Sequence, residues 1–237
     1  MKSLCTAIFV VLISLSSVNA ADKGKHLFIL SGQSNMKYMD PNIAFIPAVE
    51  KAFGKENVVV IHDAQGGQPI RRWYKDWKPS NGDKPTSTGT LYKRMMRKIS
   101  PILKKHKFSS VTFVWMQGEA DAQAKHGDVY KRSLIGLIEQ LSNDLGRKDL
   151  NVVIGRLSDC DLTNKLFPHW TMIRDIQVEV AESNPRSAWV NTDDLNDGKG
   201  KNGRNLRNNL HYSIEGYKQL GERFAEKSIE LIKKNDQ

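Results

Sequence analysis

Two cysteines in 237 residues, Cys5 and Cys160, leave almost nothing from which to build a disulfide framework. Cys5 lies in an N-terminal segment with export character, so the processed chain is expected to keep Cys160 alone and to form no intrachain disulfide. Its stability must then come from a packed core. Past residue 15, no uninterrupted apolar run approaches the ~20 residues of a membrane-spanning helix. The chain also lacks an H-E-x-x-H helix, an EF-hand loop, a close His/Cys cluster, a phosphate loop and a dinucleotide fingerprint. The glycines of "GKGKNG" at 198–203 have neither the spacing nor the strand-to-helix setting of the last of these, and are expected in a mobile surface loop. No metal and no cofactor is therefore called for.

The N-terminal segment starts with Lys2, runs through apolar Ala7–Leu15 and ends in "SVNA" before Ala21. That order, basic then apolar then small, is the pattern of a secretory signal peptide, with cleavage expected after Ala20. The remaining 217 residues (237 less 20) show no linker, repeat or low-complexity stretch, and residues 21–237 are read as one domain. A secreted or periplasmic protein is expected, without stable membrane insertion once the signal is removed.

The formal net charge is +10. Such a field favours acidic glycans, anionic surfaces or nucleic acid without naming one. The basic residues are scattered over polar helix faces, as in "RKISPILKKHK" and "EKSIELIKKND", and no zinc-finger or aromatic RNA-binding motif accompanies them. Nucleic acid is accordingly not expected as a partner.

Short Val/Ile-rich runs recur at 26–30 ("HLFIL"), 57–61 ("NVVVI"), 111–116 ("VTFVWM"), 151–155 ("NVVIG") and 188–191 ("AWVN"). They do not alternate strictly, which is the pattern of strands covered on both faces. Between them lie helical stripes, one through Leu91, Met95, Met96, Ile99, Ile102 and Leu103 and another through Tyr130, Leu134, Leu137, Ile138 and Leu141. A last helix follows "HYS", with Ser213 as its N-cap. Strands alternating with helices predict a parallel α/β sheet, whose crevice lies beyond the carboxyl ends of the strands. The polar segments "SGQSNM", "DAQGGQPI", "QGEAD" and "NTDDLND" all follow apolar runs, so they are expected at one rim.

A serine hydrolase needs a hydroxyl, a base, a group that orients the base, and donors aimed at the developing oxyanion. Ser34 of "GQSNM" can supply the hydroxyl and a backbone N–H, although an isolated Gly-x-Ser is also ordinary turn chemistry. Gly66 and Gly67 can bring a backbone N–H close to a ligand, and Gln117 carries an amide at the end of a buried run. Of the six histidines, five read more readily as structural or solvated. His211 stands in the loop before the final helix, where a side chain can project over the rim.

Four blocks, "GQSNM" at 32–36, "GGQPIRRW" at 66–73, "WMQGEAD" at 115–121 and "LHYSIEGYKQLGERFA" at 210–225, resemble the carbohydrate acetylesterase, or sialate O-acetylesterase-like, branch of the SGNH hydrolase superfamily. The resemblance implies a three-layer α/β/α sandwich with a mostly parallel five-stranded, flavodoxin-like sheet. It also implies hydrolysis of O-acetyl esters on carbohydrates, so the expected partner is an acetylated oligosaccharide or polysaccharide, which the basic charge and Arg71 and Arg72 allow to be an acidic one. It assigns Ser34 as nucleophile, His211 as base, and Gly66 or Gly67 with Gln117 to the oxyanion site. The departure lies just before the histidine, where relatives carry an acidic residue and this chain reads "NNLH", with Asn208 and Asn209. Asn208 is then the orienter at hand, unless Glu119, Asp193 or Asp194 approaches the ring. The alternative is a carbohydrate-binding protein on the same fold with weak or lost catalysis. In the stretch 71–89, Trp73, Tyr74 and Trp77 either stack on sugar rings or pack against the domain, and Arg71 and Arg72 either meet an anionic group or form local ion pairs.

Overall fold

In the computed structural model, which describes residues 24–80, 85 and 88–235, the five apolar runs become strands β1 (Lys25–Gly32), β2 (Val58–Ala64), β3 (Phe108–Met116), β4 (Asn151–Gly155) and β5 (Ser187–Val190). The N-terminal segment read as a signal peptide lies outside the described residues. All four pairings in this sheet are parallel, in the order β2-β1-β3-β4-β5. Burial explains the missing alternation: in β1 every residue after Lys25 is buried, and so is every residue of β4.

Helices α1 (Ser34–Tyr38), α2 (Phe45–Phe53), α3 (Thr90–Lys105), α4 (Glu119–Gln123), α5 (Gly127–Leu145), α6 (Trp170–Glu182) and α7 (Ile214–Asn235) complete the α/β/α layers. Helix α2 packs on α7 and α5 on α6, while both α6 and α7 pack on β4 and β5. The sequence-predicted stripes face inward, with Leu91, Met95 and Ile99 of α3 and Tyr130, Leu134, Leu137 and Leu141 of α5 all buried. Ser213 accepts the Gly216 N–H at 3.0 Å, as an N-cap does for α7.

Two features position the rim. The register pairs Gly32 with both Ala64 and Met116, so the chains leaving β1, β2 and β3 emerge at one level. The strand order also reverses direction at β1, which makes the β1/β3 boundary the topological switch point where such sheets open a crevice.

The segment 71–89 does not present its tryptophans to solvent. Trp73 is fully buried, with its ring 5.2 Å edge-on from Trp115, and Trp77 is buried as well. Trp73 Nε1 donates to Ser31 Oγ at 3.0 Å and that hydroxyl donates to the Asp63 carbonyl at 2.7 Å, so the buried indole is satisfied. Of the two readings of Trp73, packing against the domain is the one found. The basic glycine segment also differs from the expected mobile loop: β6 (Gly198–Lys199) and β7 (Asn205–Leu206) pair as an antiparallel hairpin just before His211.

Candidate active site

The approach to Ser34 depends on a glycine. Gly32 has φ +148°, and a Cβ there would stand 1.9 Å from the Met116 carbonyl oxygen. Only a residue without a side chain lets β1 turn across the end of β3. The Gln33 N–H then donates to Met116 O at 2.9 Å, and α1 starts at once with Ser34. In that first turn the N–H of Ser34 has no intrahelical acceptor. The backbone of Gly66 stands beside it, close enough that a Cβ would lie 3.6 Å from the Ser34 Cβ. Gly67, with φ +67°, turns the loop through the left-handed region with open space around it. Ser34, Gly66 and Gly67 line one cleft of about 420 Å³ together with Glu119, Leu210 and His211.

His211 reaches this cleft from the other end of the sequence. Its Nε2 lies 3.0 Å from Ser34 Oγ, across a separation of 177 residues. Burial pushes the His211 ring below its ordinary value, so the neutral form prevails at pH 7. The ring also stands edge-on to Tyr38 at 5.2 Å between centroids.

The side chain that joins these parts is Asn35, which the sequence reading passed over although it sits within "GQSNM". Its amide nitrogen donates to Glu119 Oε1 at 2.9 Å and to the Leu210 carbonyl at 3.1 Å. Its oxygen accepts the Tyr217 hydroxyl at 3.0 Å, and that hydroxyl accepts the Tyr212 N–H at 3.3 Å. One amide thus fixes the residues on both sides of His211 relative to Ser34. The Ser213 N–H adds an anchor to the Leu195 carbonyl at 3.0 Å.

The residues expected to support the Ser34–His211 pair are placed as follows. Gln117 is fully buried, and its Nε2 faces Asp121 Oδ2 at 2.6 Å, Gln68 O at 3.1 Å and Gln33 Oε1 at 3.2 Å. Its two hydrogens face three acceptors, so in this arrangement the amide ties the glycine loop to the end of β3. Asp121, also missed from sequence, takes the Ile70 N–H at 2.7 Å in the same network.

Asn208 is bonded away from the His211 ring. Its backbone has φ +43°, its Oδ1 accepts from Asn196 Nδ2 at 3.1 Å, and its N–H donates to Asp197 Oδ1. Asn209 takes the backbone N–H of His211 at 3.0 Å, not the ring. The acids after β5 are committed to arginines, Asp193 to Arg156 and Arg174 and Asp194 to Arg223. Among the described residues, none accepts a hydrogen bond from His211 Nδ1.

Glu119 meets the site through its hydrogen bond with Asn35. It is buried, and its Oε2 has no hydrogen-bond partner among the described residues. Burial, set against hydrogen bonds from Asn35 and the backbone, pushes its carboxyl up to about 7 from an ordinary 4.5. Because the folded value lies above the unfolded one, the stabilising contribution is complete below pH 4.5 and is lost as pH rises through about 7. A shift of this size corresponds to about 3 kcal/mol. Urea unfolding at pH 5 and pH 9 is therefore expected to show Glu119→Gln gaining about 3 kcal/mol on the wild type between the two. A stability difference independent of pH would contradict this.

A family model described as carbohydrate esterase, sialic acid-specific acetylesterase, matches residues 37–230. No curated protein sequence matches the chain. Among solved structures, a protein of Arabidopsis thaliana is similar at 18% identity with a TM-score of 0.64, over 86% of this chain and 97% of that one. A carbohydrate acetylesterase of Xanthomonas citri is similar at 15% identity with a TM-score of 0.61, over 89% of this chain and 57% of that one. A carbohydrate esterase family 3 protein of Talaromyces cellulolyticus is similar at 12% identity and a TM-score of 0.54, over 89% and 99%. At these identities the structures bear on the fold.

Proposed function

This chain belongs to the carbohydrate esterase family of sialic acid-specific acetylesterases, and on that premise we propose that it hydrolyses O-acetyl esters of carbohydrates through Ser34 and His211. The observation that carries the reading is the 3.0 Å approach of His211 Nε2 to Ser34 Oγ. Hydrogen bonding at that distance is what a general base needs to take the serine proton.

In the first half-reaction Ser34 Oγ bonds to the acetyl carbonyl carbon as its proton passes to His211 Nε2. The backbone N–H groups of Ser34 and of Gly66, whose backbone stands beside Ser34, serve as the oxyanion donors. Collapse of the tetrahedral intermediate breaks the bond to the sugar oxygen, which leaves with the proton from His211. A water molecule, deprotonated by the same nitrogen, then attacks the acetyl-enzyme and releases acetate while Ser34 regains its proton.

The imidazolium that forms on the way has no directly bonded carboxylate among the described residues. Positioning therefore falls to Asn35, Tyr217 and the Leu195 carbonyl, which fix the backbone on either side of the ring. The basic, apolar and small segments of residues 1–20 support export of the enzyme to the glycans it acts on.

The cleft around Ser34 favours a short acyl group. Gln33, Lys37, Gln65 and Gln123 border it, and its apolar walls are limited to Ala120, Phe167 and Leu210 with the Tyr38 ring. Each further methylene of an acyl chain gains little there, whereas in a fitted apolar pocket it is worth roughly 1–3 kcal/mol. Acid release from acetylated and butyrylated versions of one oligosaccharide tests the reading. Acetate is expected at least about tenfold faster, and equal or faster butyrate release would move the enzyme to another class of ester.

A further inference from the structure

A second cleft, of about 520 Å³, opens between the β6–β7 hairpin and α1, and Tyr38 and His211 belong to both it and the cleft around Ser34. Its size suits a small ligand or one unit of a larger one. The lining contains Lys201, Arg204 and the amides of Asn202, Asn205 and Asn209, and no Asp or Glu. We propose that this cleft is a subsite for an anionic sugar unit, bearing a carboxylate or a sulfate, next to the acetylated one. The proposal rests on the esterase reading for what happens at Ser34, but the binding it asserts can be measured without turnover.

Lys201 is held in advance. Its ammonium donates to the Tyr38 carbonyl at 2.9 Å and lies 5.2 Å and 5.3 Å from the ring centroids of Tyr38 and Tyr217. These contacts fix a long side chain while leaving further N–H donors for a ligand. The entropy that a free lysine loses on binding is thereby already spent.

Arg204 stands on the same tight turn. The Gly200 N–H donates to the Arg204 carbonyl at 2.9 Å, Gly203 N–H to the Gly200 carbonyl at 2.9 Å, and the Arg204 N–H to Asn202 Oδ1 at 3.1 Å. Its guanidinium has no ion pair among the described residues, and its fork geometry matches a carboxylate or sulfate. Two carboxylates stand nearby, and Asp40 is close enough to Lys201 for their charges to interact, but neither enters the lining. Asp40 is bonded by Asn42 and lies outside the lining, and Asp197 accepts the Asn208 N–H. An exposed Tyr38 ring gives a sugar face something to stack on at the point where the two clefts meet.

Two readouts test the subsite. In the first, unacetylated oligogalacturonate, a sulfated neutral oligosaccharide and a neutral xylo-oligosaccharide are titrated onto the wild type at low ionic strength. The anionic probes are expected to bind at least about tenfold more tightly than the neutral one, with the preference shrinking near 0.5 M salt as the charges are screened. The stronger of the two anionic probes identifies the substituent. Arg204→Gln, at a side chain with no ion pair among the described residues, and Lys201→Met with Arg204→Gln are expected to remove most of that preference. Equal binding of neutral and anionic probes, or a preference unchanged in both variants, would overturn the proposal.

In the second readout, kcat/KM is compared on acetylated oligogalacturonate and acetylated xylo-oligosaccharide. The ratio is expected to fall in the variants through KM, since the groups bind a unit that does not react. A wild type that binds anionic oligomers selectively but releases no acetate would retain the subsite and reject the esterase reading. A wild type that deacetylates both substrates equally would do the reverse.

Discussion

Ser34→Ala is expected to lower kcat/KM for acetate release by about 10⁴-fold or more, leaving at most the residual catalysis of oxyanion donors and binding. The loss should not come from misfolding. Alanine keeps the Cβ that lies against Gly66, and the only side-chain hydrogen bond of the hydroxyl among the described residues is the one to His211. Removing it leaves a half-buried imidazole facing a methyl group, a small cost beside that of a core cavity. Acetate release by purified wild type and variant, with matching unfolding transitions, checks both halves. A folded variant with undiminished turnover would remove Ser34 from the mechanism.

His211→Ala is expected to cost a similar factor, and the double variant little more than either single one, because nucleophile and base act as a unit. The pH profile distinguishes a base from a merely structural ring. The neutral imidazole is the active form, and burial holds its protonation below the ordinary 6.5. Wild-type kcat/KM should therefore rise with pH along one limb whose midpoint lies below 6.5, and reach its plateau by neutrality. The limb should vanish in His211→Ala. Loss of the edge-on contact with Tyr38 costs about 0.5–1.5 kcal/mol, well short of unfolding a domain with this core. A low-pH limb that persists in the variant would assign it to another group, Glu119 being the nearest candidate.

What could be read from the sequence was what short-range pattern encodes. Five strands announce themselves as short apolar runs, three of them, β1, β3 and β4, buried along most of their length, and the inward stripes of α3 and α5 as a 3.6-residue period. The rim followed from the position of polar blocks directly after those runs. The direction of each side chain did not. Gln117 reads as an available amide because its three acceptors, on Gln33, Gln68 and Asp121, come from segments brought together only by the sheet. Asn35 was hidden for the same reason, since its partners Glu119, Leu210 and Tyr217 lie up to 182 residues away. Asn208 fell three places before the histidine, where an acidic orienter is expected. A left-handed backbone there and the pull of Asn196 send it elsewhere. The hairpin β6–β7 has only two residues per strand, too few for any alternation to register.

Among the described residues no carboxylate accepts from His211 Nδ1, which under the proposed mechanism would bear on rate more than on the steps themselves. Proton transfer at Nε2 needs the ring in place and neutral, and the Asn35 network and burial provide both. Under the proposed mechanism, stabilisation of the imidazolium is what such a site lacks, and the backbone donors of Ser34 and Gly66 would carry a larger share of catalysis than in a site with a full triad.

The most direct test is covalent. Incubation of the wild type with a fluorophosphonate, followed by intact-mass and peptide mass spectrometry, reads out which hydroxyl is activated. The account predicts one adduct per chain, on Ser34, formed faster as pH rises to neutrality and absent from Ser34→Ala. Modification of a different residue, or no adduct on a preparation that releases acetate from acetylated glycans, would contradict a Ser34–His211 esterase.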